Sequence, residues 1–484
     1  MAQHVRLGEL LVQEKLVDRG DLSQALERQK GVGGTLGENL VAMGKVTQDQ
    51  IGSVLQQTPA APKSIADTGL GHTFLLSLAL KTMRVYGAET PSQVAGHMKL
   101  PVGIVEALLE NARQRSLVDS LGPNSAGPLA EIRWALTEKG RAWAMDALEQ
   151  NQYVGPAPVP LATYAAQVQR QRITHERVSP ERLSKSFAEL ILPADLVREL
   201  GPASNSGQAM LLFGPPGNGK TSIAVALGAA FHDGIFVPHA IEIDGQVVKI
   251  FDPVFHVPLA EAPEADKQLA ARIALVRSNQ SDERWVKCKR PVVVTGGELS
   301  LEMLDLSFDE ISKFYEAPLQ LKATGGIFVL DDFGRQLVSP QDILNRWVIP
   351  LERRIDYLTL HTGKKFPVPF DELVVFSTNF VPTELMDAAM MRRVPYKIPV
   401  EPPSEEDYGK IFRKVAKANA LEPIEPILAH LAAHHYSREN RLRARHHPKF
   451  IVEYAIAMCR FEGVPPRLDK QLVDDAMRHL YAAS

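Results

Sequence analysis

Residues 208–221 read Gln208-Ala209-Met210-Leu211-Leu212-Phe213-Gly214-Pro215-Pro216-Gly217-Asn218-Gly219-Lys220-Thr221, an apolar run that breaks into a glycine-rich loop closed by a lysine and a threonine. Gly214, Gly217 and Gly219 let the backbone wrap a phosphate chain with its N–H groups turned inward, Pro215, Pro216 and Asn218 filling the remaining loop positions. Lys220 supplies a cation to the outer phosphates, and the Thr221 hydroxyl is a ligand for Mg²⁺. The helix-forming run from Ser222 to Phe231 that follows points its N-terminal dipole at the same anion. This is the Walker A pattern in the strand–loop–helix setting that it needs, and it implies ATP and Mg²⁺.

A second apolar run, Gly326-Ile327-Phe328-Val329-Leu330, ends in Asp331-Asp332. A buried strand that delivers two carboxylates fits a Walker B, with Asp331 on the water shell of Mg²⁺ and Asp332 placed to polarise an attacking water. A third run, Leu373-Val374-Val375-Phe376-Ser377-Thr378, ends in Asn379, an amide able to hold that water or the terminal phosphate.

The bounds set by composition agree. At 484 residues the chain is too long for one core, and about 150 residues per domain predicts three or four. A net charge of −3 carries no signature of a nucleic-acid binder. No apolar run approaches the roughly 20 residues that span a bilayer, so no membrane insertion and a cytoplasmic location are expected. Cys288 and Cys459 stand in no metal-ligand spacing.

From about residue 180 onward the ordered motifs resemble AAA+ ATPases. The stretch before Lys322-Ala323-Thr324-Gly325-Gly326, after a hairpin around Asp244-Gly245 and a charged segment from Glu261 to Ser278, is similar to the helix-2-insert group. Tyr357 to Pro369 is similar to the pre-sensor-1 hairpin of MoxR and magnesium chelatase relatives. The resemblance implies sensor 1 at Asn379 and an arginine finger at Arg393, with Arg392 next. It places sensor 2 at Lys449, with Arg445 in reserve and His446 and His447 read as surface residues. An intramolecular ion pair is the competing reading of the arginine. The usual second Walker B acid in relatives is Glu, so Asp332 is one methylene short. A trans arginine implies a homo-oligomeric ring, commonly a hexamer.

Residues 1–58 repeat themselves at a constant offset of 29, Leu7 to Leu36, Leu22 to Ile51 and Leu26 to Leu55. The repeat resembles the MshEN domain of type II secretion and type IV pilus ATPases, some of which bind cyclic di-GMP. That resemblance puts Arg6, Leu7, Gly8, Gln29, Leu36 and Gly37 at such a site. Departures are Lys15 for a Gly, Thr35 for the second Arg and Thr58 for the final Gln. The same leucines serve equally as the core of a helical docking module. Residues 72–150 pattern as helices followed by a hairpin and Leu136-Thr137-Glu138-Lys139-Gly140, similar to winged-helix domains. Eight Lys/Arg against eight Asp/Glu leave that module neutral, which favours protein docking over DNA.

The expected architecture is therefore an α/β chain: 1–58 MshEN-like helical domain, 59–71 linker, 72–150 winged-helix-like domain, 151–179 linker, 180–400 P-loop AAA+ doubly wound parallel sheet and 401–484 helical lid. Phe187 to Leu200 would cover the adenine. An unidentified protein client, with pilus or secretion machinery in view, is the implied partner; a DNA-associated nucleotide switch is the alternative.

Overall fold

The computed structural model describes residues 11, 16–32, 36–47, 50–51, 58–123, 131–259, 281–437 and 441–481. Five short parallel strands form the central sheet: β1 (Met210–Phe213), β2 (Val292–Thr295), β3 (Ile327–Leu330), β4 (Leu373–Thr378) and β5 (Tyr396–Pro399). Their spatial order is β5-β1-β4-β3-β2, so β4 is inserted between β1 and β3. Near-continuous apolar runs are what a parallel sheet covered on both faces demands.

Period-two alternation sorts the side chains into two layers. Met210, Leu212, Ile327, Val329, Leu373 and Val375 face helix α1 (Lys220–Gly228) and its neighbours. Gly228 permits that close approach, since a Cβ there would meet Val292 Cγ2 at 2.3 Å. Leu211, Phe328, Leu330, Val374 and Phe376 face an aromatic layer centred on Trp347. That indole is fully buried, with Phe328 and Phe370 rings edge-on at 5.3 and 5.8 Å.

A second five-stranded sheet lies beside the first, built from the Ala240–Ile243/Gln246–Lys249 hairpin, Tyr315–Glu316, Ser307–Phe308 and Val159–Pro160. The hairpin turns at Asp244 (φ 51°) and Gly245 (φ 79°), both left-handed, as a two-residue primed turn requires. A further antiparallel pair, Ile355–Thr359 with Lys365–Pro369, packs Leu358, Phe366 and Val368 on this layer. The two hairpins meet where Lys364 pairs with Asp244.

Segment 151–179 differs from the connector its Pro/Ala content suggests. It contributes the edge strand Val159–Pro160 and a helix, Leu161–Arg170, whose Tyr164 and Val168, one turn apart, are buried. Segment 59–71 is also ordered. A buried Arg284–Asp282 pair (2.8 Å) holds both: Arg284 donates to Thr68 O and Pro158 O, and Asp282 N to Pro59 O.

Residues 72–150 fold as helices His72–Tyr86, Pro91–Met98 and Val102–Gln114, the antiparallel pair Val118–Pro123/Ile132–Leu136, and helix Glu138–Gln150. In the N-terminal unit, helices Arg19–Val32 and Leu36–Ala42 surround Ala25 and Leu40. Its repeat is visible in the caps: Asp18 and Asp21 exchange backbone-to-carboxylate hydrogen bonds (3.3 and 2.7 Å), and 29 residues on Thr47 N–H donates to the Gln50 amide oxygen (2.8 Å) and Gln50 N–H to the Thr47 hydroxyl (3.1 Å). Helices Glu405–Ala418, His447–Glu462 and Lys470–Leu480 pack around Phe412, Ile451 and Val473. No helix among the described residues is long and apolar enough to cross a membrane. The Glu261–Ser278 expectation lies outside the described residues.

Glu372, at the foot of β4, is fully buried and neither carboxylate oxygen has a hydrogen-bond partner. Burial, with Asp371 alongside, pushes its carboxyl well above the usual range. The unfolded chain ionises near 4.5 while the fold keeps the proton, so stability falls as pH rises above that value until the folded-state value is reached. The slope is about 1.4 kcal/mol per pH unit. Glu372→Gln is expected to remove it, leaving the variant more stable than the parent in urea melts at mildly alkaline pH and similar in mild acid.

Candidate functional site

The loop between β1 and α1 is shaped by positions that exclude a side chain. Gly214 has φ 138°, and a Cβ there would stand 2.7 Å from Val400 O, where the chain leaves β5. Gly217 (φ 75°) would collide with the His446 ring. Asn218 Nδ2 donates to Pro215 O (3.2 Å) and braces the turn. Lys220, at the first position of α1, is buried, and its Nζ donates to Gly214 O (2.9 Å), Pro215 O (3.1 Å) and Asn379 Oδ1 (2.7 Å). Burial lowers the pKa of this ammonium, while Asp331 and Asp332 oppose the shift.

Because β4 separates β1 from β3, the polar end of β4 falls between the loop and the two aspartates. Asn379 Nδ2 reaches Asp332 Oδ1 at 3.5 Å on its other side. Thr221 Oγ1 sits 2.8 and 2.7 Å from the two Asp331 oxygens. Asp331 itself is held by its backbone, its N–H donating to Thr295 O and its carbonyl accepting from Gln336 Nε2. Asp332 leaves the strand with φ 48°, a left-handed turn that Asp tolerates better than most residues, and its carboxylate is exposed. A hydroxyl against a carboxylate is a donor set suited to a hydrated hard cation. A cationic amine beside it suits an anion, and an amide facing a carboxylate can bracket a water.

The basic candidates on the C-terminal side take different positions. Arg393 pairs with Glu352 (2.8 Å) and donates to Ala389 O (3.0 Å), its side chain 15% exposed. Arg392 is exposed and, among the described residues, has no ion pair or hydrogen bond. The ion-pair reading thus applies to Arg393, and the free guanidinium is Arg392. Lys449 points to solvent, 71% exposed, 3.7 Å from Glu453 on the next turn. Among the described residues its charged partner is Glu453 rather than a group of the glycine loop.

Arg445 does approach it. Its N–H donates to Asn218 Oδ1 (3.3 Å) and its guanidinium to Glu401 O (2.6 Å), with Nε buried and unpartnered and the pKa lowered by burial. His446 was missed as a site residue: its backbone N–H donates to Gly217 O at 3.1 Å and its ring Nδ1 lies 3.3 Å from the same oxygen. The signal was its position beside Arg445 at the entry to a lid helix. His447 is buried rather than at the surface, with Nδ1 2.9 Å from Tyr436 Oη. In the N-terminal unit, Leu36 is half-buried and Gly37 buried at a helix start, and Gln29 lies in a helix. Arg6, Leu7 and Gly8 lie outside the described residues.

Residues 404–479 match the model of a family described as a domain of unknown function (DUF8689). No curated protein matches the chain. Among solved structures, it is similar to NtrX from Brucella abortus at 14% identity and TM-score 0.36, over 67% of this chain and 60% of that one. It is also similar to the Thermotoga maritima RuvB Holliday junction branch migration motor (14%, TM-score 0.34, 62% of this chain and 73% of that one). Domain III of the Thermotoga maritima replication initiation protein DnaA gives 13% and 0.32, over 63% of this chain and 98% of that one. Likeness this distant carries no conclusion about activity, which rests on the residues themselves.

If Arg445 and not Lys449 completes the pocket, Arg445→Ala should weaken binding of a fluorescent ATP analogue by about tenfold or more, while Lys449→Ala stays within about twofold of the parent. Equilibrium fluorescence titration measures both.

Proposed function

We propose that this chain is an ATP-hydrolysing AAA+ enzyme that works as a homo-oligomeric ring on a protein client. The observation that carries the reading is the convergence of Lys220, Thr221, Asp331, Asp332 and Asn379, drawn from three strand ends, on the mouth of one glycine loop.

In this reading Lys220 exchanges its contacts with Gly214 O, Pro215 O and Asn379 for phosphate oxygens, and the N–H groups of Gly217 to Thr221 surround the same anion. Thr221 and Asp331 would hold Mg²⁺, which would offset the negative charge of the phosphate oxygens. Asp332 accepts the proton of the attacking water, and Asn379 orients that water once Lys220 releases its carbonyl. Arg445 and His446 seat the lid on Asn218 and Gly217, so the angle between sheet and lid follows what occupies the loop. Arg392, exposed at the end of helix α2 (Ala388–Arg393), enters the neighbouring subunit's pocket, where a planar, permanently charged group offsets the charge spread in phosphoryl transfer.

The modules at 1–58 and 72–150 select the client. The neutral balance of 72–150 supports a protein partner rather than a DNA phosphate backbone. Cyclic di-GMP, implied by the MshEN resemblance, would act through Arg6, Leu7, Gly8, Gln29, Leu36 and Gly37.

Asp332→Asn is expected to lower steady-state ATP turnover by about 100-fold or more with nucleotide affinity retained. Arg392→Ala should lower turnover by about 1,000-fold, whereas Arg393→Ala, which breaks the Glu352 pair, should show chiefly as a lower melting temperature. Phosphate-release assays on the full chain decide: unchanged rates in Asp332→Asn and Arg392→Ala would overturn the assignment.

A further inference from the structure

The lid holds a cluster that the nucleotide site does not use. Helix α3 (Glu425–His430) passes directly into a wide π turn over Leu431–Tyr436, with Ser437 N–H bonded to Ala432 O five residues back. In an α-helix, residues five apart point about 140° away from each other. The wider turn brings His430 and His435 onto one face instead, and π turns of this kind recur at functional sites. Both Nε2 atoms converge on one oxygen of Asp474, at 2.6 and 2.5 Å, from helix α5 (Lys470–Leu480), which follows helix α4 (His447–Glu462) in the lid.

The side chains of His430 and His435 are only 9% and 13% exposed, and their Nδ1 atoms are buried without a partner. The ring nitrogens that reach anything are therefore the two that converge. Asp474 is 43% exposed, which opens one side of the cluster to solvent. Among the described residues this is the one group of three with its donor atoms all within 4.8 Å of one another. His434 is not part of it, since its ring stacks on His430 and its Nδ1 faces His430 O.

We propose that His430, His435 and Asp474 form a binding site for a divalent transition metal of the zinc class. Two imidazole nitrogens and one carboxylate oxygen match the donor preference of zinc, cobalt and nickel, whereas magnesium and calcium take oxygen ligands. Bonds of about 2.0–2.1 Å in a tetrahedral arrangement need the three donors slightly further apart than they stand, a widening of under about 1 Å that the half-exposed Asp474 can supply by rotating. Solvent occupies the remaining position. A metal here clamps the π turn against α5. The next residue, Tyr436, bonds Tyr408 Oη (2.8 Å) and His447 Nδ1 (2.9 Å), so the clamp sits within two side chains of the His446–Gly217 contact. The site stands independently of the nucleotide reading.

The test uses the full chain, stripped with a chelator, dialysed, and titrated with Co²⁺ in the absence of nucleotide. The expected result is one Co²⁺ per chain with the visible absorption of a four-coordinate nitrogen–oxygen site, displaced by Zn²⁺. His435→Ala and Asp474→Asn should each weaken binding by at least about tenfold, and His434→Ala should leave it unchanged. Should His435→Ala fail to fold, the solvent-exposed Asp474→Asn carries the comparison, with circular dichroism reporting the fold. No Co²⁺ absorption, or binding that Asp474→Asn leaves untouched, overturns the proposal.

Discussion

The hydrogen bond from Lys220 Nζ to Asn379 Oδ1 joins residues 159 apart in sequence, and the organisation of the site depends on what makes it possible. Placing β4 between β1 and β3 puts an amide where a simple sequential sheet would put a gap. The strand ends then form a polar row in which cation, amide and carboxylate follow one another at hydrogen-bond spacing. Such a row has to sit on an unyielding platform, because its amide and carboxylate are short side chains with little reach of their own. The two packed layers on the sheet supply it, with close backbone approach at Gly228 on one side and the Trp347 aromatic cluster on the other.

The parts of this arrangement that depend on neighbouring residues are legible in the sequence. An apolar strand followed by Gly, Lys and Thr can be read locally, since the loop's backbone demands and the side-chain roles lie within eight residues. The same holds for the strand ends at Asp331 and Asn379, and for the 29-residue repeat, which reappears as paired caps at Asp18/Asp21 and Thr47/Gln50. What depends on the orientation of one element against another was not legible. Lys449 and Arg445 are four residues apart, and only the packing of the lid decides which faces the loop. Arg392 and Arg393 differ by one position on a short helix, about 100° of rotation, and Glu352 captures one of them.

Composition misleads at the connectors. Pro and Ala in 59–71 and 151–179 suggest passive connectors, yet proline is compatible with edge strands and helix starts. Val159 and Pro160 use that freedom to extend a sheet edge, and the helix that follows them buries Tyr164 and Val168. Buried charge is unfavourable unless paired and hydrogen-bonded. Arg284 meets both conditions by accepting Asp282 as its counter-ion and spending its remaining donors on the carbonyls of the two connectors.

That knot has a mechanical meaning. With Thr68 and Pro158 held by the Arg284 guanidinium and Pro59 by the backbone N–H of Asp282, both connectors between the glycine-loop sheet and residues 72–150 are fastened at one point. A tilt of a few degrees at the strand ends would travel outward as through a lever arm, arriving at the far module as a displacement instead of being absorbed along a floppy tether.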